Sequence, residues 1–348
     1  MRMLTLGKTG ITVPQNAFGA LPIQRVSDEE AVKLLRRAYE GGMRFFDTAR
    51  AYSDSEHKVG LAFAGMRDKI YIASKTQAKT PEGFRKDLEK SLTELQTDYL
   101  DIYQFHCADQ CWRPGDGSGM YECMLKAREE GKIRHIGMSA HKIGVAREAV
   151  ESGLYETMQF PFSYIAGEPE KALVGLCRQN QVGFISMKGL AGGLIRNAAA
   201  AMAFMLQYDA LPIWGVQRAE ELEQFLAFMD HEPELTEKLQ KVIDADREEL
   251  TGNFCRGCGY CMPCPEGIII NQCARISLMV RRAPSAVWTN DFWQAEMKKI
   301  ENCRHCGKCM EHCPYELNTP ELLQKNYEDY KKILAGEIRP DGAWTPQA

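Results

Sequence analysis

Eight short apolar runs, separated by segments of helical pattern, constrain this chain more than any other feature. The strand-like runs cover 16–20, 43–48, 70–74, 99–106, 133–139, 157–160, 183–187 and 211–215. Helical patterns over 27–39, 55–65, 81–95, 120–130, 145–151 and 171–179 fill most of the intervals. The first of these opens on Ser27-Asp28-Glu29-Glu30, a capping-box signature. A regular βα alternation implies a parallel sheet, because a helix returns the chain to begin each strand on the same side. Ahead of the series, two apolar runs within 4–13 flank a glycine-bearing turn, which predicts a hairpin. A chain of 348 residues fits an α/β barrel of roughly 250 residues with a small module added.

Polar groups follow three of the apolar runs. Phe45-Phe46-Asp47 ends in a carboxylate and Tyr52 lies five residues later, Ile70–Ser74 leads into Lys75, and Tyr99–Phe105 leads into His106. Parallel strands of a barrel end at one rim, so these four side chains are expected together. The set suits proton transfer: a phenol titrates near pH ~10 and exchanges protons poorly at neutral pH unless a neighbouring ammonium favours the phenolate. In this arrangement the sequence resembles an aldo-keto reductase, a (β/α)8 TIM-barrel family that moves hydride between a nicotinamide and a carbonyl. The resemblance covers roughly 1–230. It implies that Tyr52 is the general acid, that Lys75 lowers its pKa, that Asp47 pairs with Lys75, and that His106 orients the carbonyl.

The resemblance also implies cofactor contacts. Ser139 and Gln159 match positions that hold the carboxamide, with Ala140 where many members have asparagine. Met187 stands where a tyrosine often stacks on the nicotinamide, and a thioether can pack on a ring face. Near the adenine end, Gly215 and Glu221 replace two basic residues that would clamp a 2′-phosphate, and Arg218 remains. That balance favours NAD(H) over NADP(H). Trp112, in the glycine-rich loop 109–119, is a candidate wall of the substrate pocket or a residue packed under its own loop.

The composition changes abruptly near the C-terminus. Cys255, Cys258, Cys261 and Cys264 form one run, and Cys303, Cys306, Cys309 and Cys313 form another, each closed by Cys-Pro. Two such runs resemble a ferredoxin module holding two [4Fe-4S] clusters, in which three thiolates of one run wrap a cluster and the cysteine before proline reaches the other. By that rule Cys255, Cys258 and Cys261 join Cys313, and Cys303, Cys306 and Cys309 join Cys264. Helical patterns over 271–282 and 290–300 point to a mostly helical module. The competing reading is two zinc sites of four thiolates each, which rarely use a triple run closed by Cys-Pro. Cys107, Cys111, Cys123, Cys177 and Cys273 read as small apolar residues.

The resulting plan is a barrel over 1–232, a helical linker over 233–250, a ferredoxin-like domain over 251–325 and a tail over 326–348, poorly ordered from Pro340. A formal charge of −4 gives no reason to expect nucleic acid. No apolar run approaches the ~18 residues that span a bilayer, and the N-terminal residues lack a signal peptide's apolar core, so a cytoplasmic location away from membranes is expected. The leading expectation is an NAD(P)H-dependent reductase of an aldehyde or ketone, or oxidase of the alcohol, that carries two clusters. The alternative is an electron-transfer protein whose barrel positions the clusters for a redox partner protein. A cluster passes single electrons whereas nicotinamide gives up a hydride, and the chain carries no glycine fingerprint for a flavin that could join them.

Overall fold

A computed structural model describes residues 1–250, 254–282 and 285–338. The chain divides into two compact units, Met1–Gly189 with Ala198–Glu237, and Leu190–Asn197 with Lys238–Ala348.

In the first unit, eight strands pair in parallel with their sequence neighbours: Ala17–Gly19, Phe45–Asp47, Tyr71–Thr76, Leu100–Phe105, Ile133–Ser139, Thr157–Pro161, Gly183–Met187 and Ala210–Gly215. The last pairs with the first, which closes a barrel, so the parallel sheet read from the alternation is a TIM barrel without edges. Helices Asp28–Glu40, Ser55–Phe63, Pro81–Glu94, Met120–Glu129, Ile143–Glu151 and Glu168–Gln179 follow the expected patterns. Asp28–Glu40 shows why: Ser27 and Glu30 cap each other's backbone N–H, and Ala31, Leu34, Leu35 and Ala38 form its buried stripe.

The predicted hairpin pairs Met3–Thr5 with Thr12–Pro14. Its Leu4, Leu6, Ile11 and Val13 pack with Phe45, Ala73, Ile102, Ile185 and Leu211. A bridge from Gly7 to Val182 places the hairpin at the end of the barrel where the strands begin. Gly7 has a φ of +52°, and a Cβ there would stand 2.3 Å from the Gln181 carbonyl oxygen, so only glycine fits. That plug leaves the opposite rim, where the strands end, for chemistry.

Two helices of this unit lie beyond the six expected from the sequence. Ala198–Met205 is apolar nearly all round and buries Ala200 through Met205, so it lacks the polar face that would reveal a helical period. Ala219–Asp230 lies under Trp214, whose ring stacks on Phe225 with centroids 4.4 Å apart.

The second unit is helical, with Glu237–Leu250, Ile276–Arg282, Asp291–Lys298 and Thr319–Leu334 as its longer elements. Its core gathers Ile268, Ile276, Val280, Met297, Ile300, Leu323, Tyr330 and Ile333. The expected boundaries need correction here. The segment 233–250 is no separate linker, because Glu237–Leu250 ties into this unit: Asp246 and Glu249 both bind the buried Arg282 guanidinium. Nor does a tail begin at 326, since one helix runs through Lys325 and buries Tyr327, Tyr330 and Ile333 beyond it. Leu190–Asn197, expected in the barrel domain, groups with the second unit, where Arg282 donates to the Leu194 carbonyl at 2.9 Å. The expectation of disorder from Pro340, and the boundary at Thr251, fall outside the described residues. Among the described residues no helix is long and apolar enough to cross a membrane.

Tyr330 is 1% exposed and its hydroxyl donates to the Trp288 carbonyl at 2.8 Å. Tyr330→Ala is expected to lower the stability of the second unit by about 3 kcal/mol. Chemical denaturation should show that transition moved and the barrel's transition in place.

Candidate active site and cysteine-lined cavity

Asp47 ends its strand, Lys75 is next to last in Tyr71–Thr76, and His106 follows Leu100–Phe105. Because parallel strands share a direction, all three reach the rim opposite the hairpin plug. Tyr52 comes to them on the loop after Asp47. That loop is pinned from several sides. Thr48 and Arg50 donate backbone N–H groups to the Ala73 and Lys75 carbonyls at 2.9 and 3.0 Å, and the Ser55 hydroxyl donates to the Ala20 carbonyl at 2.8 Å. Beneath it Glu56, fully buried, accepts from the Ser74 hydroxyl at 2.5 Å and pairs with Arg50.

The Lys75 ammonium, itself fully buried, donates to Asp47 Oδ1 at 2.6 Å and to the Thr48 carbonyl at 2.7 Å. It lies 5.3 Å from the centroid of the Tyr52 ring, and the Tyr52 and His106 rings meet edge to face at 5.5 Å. The four residues named from the sequence are therefore brought together.

Their protonation differs from the expectation in one respect. Burial pushes the Tyr52 phenol well above its ordinary value, and the Asp47 carboxylate adds to the rise. Lys75 was expected to lower it, but two of its three N–H groups are turned to Asp47 and Thr48 and burial dominates. Tyr52 is thus a phenol, able to donate, across the neutral range. Burial, helped by the Lys75 charge, pushes the His106 imidazole down to about 3, so it stands neutral. Burial raises Asp47, against the opposing pull of Lys75.

The expected cofactor positions reach the same rim. Ser139 and Gln159, both 1% exposed, face each other in register across adjacent strands. The Ser139 hydroxyl accepts the Cys107 backbone N–H at 2.9 Å, and its own donation to the Phe105 carbonyl is long at 3.5 Å, so its proton is loosely held. Gln159 accepts from Gln104 at 2.9 Å and lies 3.4 Å from Asp47 Oδ1, which links the amide to the Lys75 pair. Met187 is half-buried against the barrel's apolar interior. A hydroxyl, an amide and a thioether at one rim suit a carboxamide-bearing ring. Gly215 ends the last strand, and Arg218 pairs with Glu221, whose carboxylate also accepts the backbone N–H groups of Gln217 and Arg218.

Sequence reasoning did not single out Gln104, Arg50 or Glu56. The last two sit two residues before and four after Tyr52, and that spacing around a rim loop was the available signal. Trp112 packs its ring 6.1 Å from Phe105, and its carbonyl accepts the Tyr155 hydroxyl, so it is held by its own loop and strand.

In the second unit Cys255, Cys258, Cys261 and Cys313 line one cavity together with Ile270, Tyr315 and Leu322. This is the set that the crossing rule of the two runs assembles. Burial drives the Cys261 thiol up to about 12, and the neighbouring Cys255 and Cys258 add to it. Burial raises the Cys309 thiol, and the Cys303 and Cys306 sulfurs add to the rise. Cys264 is half-buried against the unit's core. Among the described residues no three such ligands converge on one point to hold a single ion. Four sulfurs around one cavity are a donor set that a [4Fe-4S] cluster could take.

Residues 15–202 match the model of the Aldo/keto reductase family, and residues 254–318 match that of a 4Fe-4S dicluster domain. L-galactose dehydrogenase of Arabidopsis thaliana is 30% identical over 216 residues, 56% of this chain and 67% of that protein. Aldo-keto reductase YhdN of Bacillus subtilis is 29% identical over 214 residues, 56% of this chain and 64% of that protein. The chain therefore spans about two thirds of the length of these relatives. An aldo-keto reductase of Klebsiella pneumoniae, solved in complex with NADPH, shares the barrel at a TM-score of 0.59 and 24% identity, covering 70% of this chain and 95% of that one. The holo form of a Bacillus halodurans aldo-keto reductase does so at 0.61 and 22%, covering 71% and 96%.

The Lys75 and Asp47 charges depend on each other. Lys75→Met should cost about 3–5 kcal/mol of stability by leaving the carboxylate buried and unpaired. Adding Asp47→Leu to that variant should restore most of the loss, as a double-mutant cycle in denaturant would show.

Proposed function

Because the chain belongs to the aldo/keto reductase family, we propose that it reduces an aldehyde or ketone with NAD(P)H, with Tyr52 as the proton donor. The observation that carries this reading is a buried lysine–aspartate pair set beside a tyrosine ring that meets a histidine ring edge to face on one barrel rim. When bound, NAD(P)H supplies the hydride. The remaining work falls to the chain. Ser139 and Gln159 would bind the carboxamide, and Met187 would pack on the ring. His106, neutral, orients the carbonyl oxygen through an N–H without repelling it. Tyr52 then delivers its proton to that oxygen as negative charge builds there, and the nearby Lys75 ammonium stabilises the phenolate left behind. Asp47 holds the Lys75 side chain in place.

The same reading favours NADH. Arg218 is drawn onto Glu221, which sets a carboxylate where a 2′-phosphate would need a cation. KM for NADPH should exceed that for NADH by about tenfold or more, a difference of ~1.4 kcal/mol.

In the second unit the donor set fits two [4Fe-4S] clusters, one held by Cys255, Cys258, Cys261 and Cys313, the other by Cys303, Cys306, Cys309 and Cys264. Bound clusters would exchange single electrons, and a redox partner protein is the expected counterpart. The eight thiolates hold and enclose them.

Tyr52→Phe tests the reductase reading. It should lower carbonyl reduction by about 10²-fold or more, while nicotinamide binding, followed by fluorescence, stays within about twofold; full activity in this variant would sink the proposal. The reduction rate should also be flat between about pH 6 and about pH 9. Tyr52 keeps its proton throughout, and His106, already neutral above about 3, contributes no step near 6.5.

A further inference from the structure

Among the described residues, two arginines lie buried in the second unit, and their surroundings differ. Arg282, 3% exposed, is neutralised by Asp246 and Glu249. Arg275, 5% exposed, meets no carboxylate within ion-pair distance among the described residues. Its Nη2 donates to the Gly192 carbonyl at 2.7 Å and lies 3.0 Å from the Met279 sulfur, while its Nε is buried without a hydrogen-bond partner. A buried cation left in this state is costly. The chain nevertheless makes room for it: a Cβ on Gly257 would stand 2.8 Å from Arg275 Nη1, and one on Gly192 3.0 Å. Gly257 sits between two ligand-run cysteines, and its N–H points to Cys255 Sγ at 3.4 Å.

Gly257, packed against the guanidinium, directs its own N–H to the sulfur of Cys255, one of the four cysteines that line the cavity, so the guanidinium lies beside that ligand set. We propose that Arg275 is the counter-charge of the cluster held by Cys255, Cys258, Cys261 and Cys313, and that it sets the reduction potential of this cluster above that of the other. A cluster gains a negative charge on reduction, so a fixed cation in a dry site favours the reduced form. Among the described residues of the second unit the only other buried cation is Arg282, which Asp246 and Glu249 already neutralise. Cys306 is exposed, and the cations nearest it in sequence, Arg304 and Lys308, are exposed as well, so solvent and salt screen them. Arg256 also lines the inner cavity, but it is half-exposed and stacked on the Phe254 and Tyr315 rings at 4.8 and 4.5 Å, which makes its influence smaller.

The inference rests on the cluster assignment above. The test is an EPR-monitored redox titration of the full-length, iron-loaded chain, with iron counted for every variant. Wild type should give two resolved midpoints. Cys258→Ser should displace the higher one and Cys306→Ser the lower, an assignment that requires no change at Arg275. Arg275→Gln should move only the higher midpoint to more negative potential, and Arg275→Lys, which keeps the charge, should retain most of the wild-type value. Arg256→Gln should produce the lesser shift. If Cys258→Ser displaces the lower midpoint, or if both midpoints stay put in Arg275→Gln at full iron content, the inference is overturned. A wild-type chain that takes up no cluster iron would remove the cluster assignment itself, a result distinct from an unmoved midpoint.

Discussion

The Lys75 ammonium and Asp47 carboxylate, closed off from water at 2.6 Å, are the pair on which the barrel's chemistry depends. Neither charge would be tolerated alone at that depth. Two strands, Phe45–Asp47 and Tyr71–Thr76, must lie side by side in the right register for the pair to form, and they do, with Asp47 opposite Ala73. The pair then organises its surroundings. It draws in the Thr48 carbonyl, which fixes the start of the Tyr52 loop, and it draws in Gln159 from across the barrel, which ties the Ser139 side of the rim to the Tyr52 side.

The rim loop shows how a flexible segment is made rigid without a regular element. Arg50 and Glu56 close a pair beneath it, Thr48 and Ser55 join their hydroxyls at 2.9 Å, and Ser53 takes a φ of +39° to turn the chain. Each bond fixes a different part of the loop, so the phenol is placed by several weak constraints acting together. The protonation states follow from the same enclosure. Excluding water pushes the tyrosine phenol up and the histidine imidazole down, so both side chains favour their uncharged forms.

Much of this was legible in the sequence because it is written in local spacing. Strand length, helix period and the Ser27 cap each concern residues within a turn or two, and the polar residues at the ends of Phe45–Asp47 and Leu100–Phe105 announce the rim. Both cysteine runs were equally plain. What stayed hidden depends on partners far apart in the chain. Ala198–Met205 has no polar face to betray its period. The part of Thr319–Leu334 beyond Lys325 reads as a charged tail because its buried residues, Tyr327, Tyr330 and Ile333, are spaced among lysines and acids and gain meaning only from a core assembled largely from 268–300. Tyr52's raised pKa could not be read either, since sequence shows that a lysine is near but not where its protons point.

Leu190–Asn197 breaks the correspondence between chain order and folded unit. The barrel's polypeptide leaves its own body after Gly189, contributes eight residues to the other, and returns at Ala198 before the second unit proper begins at Lys238. No single cut can separate the two bodies intact. A fragment ending near Glu237 would carry an orphaned loop, and a fragment starting at Lys238 would lack the carbonyls of Gly192 and Leu194 that Arg275 and Arg282 hold. The second body is therefore complete only when residues 190–197 are supplied together with the stretch from Lys238 onward.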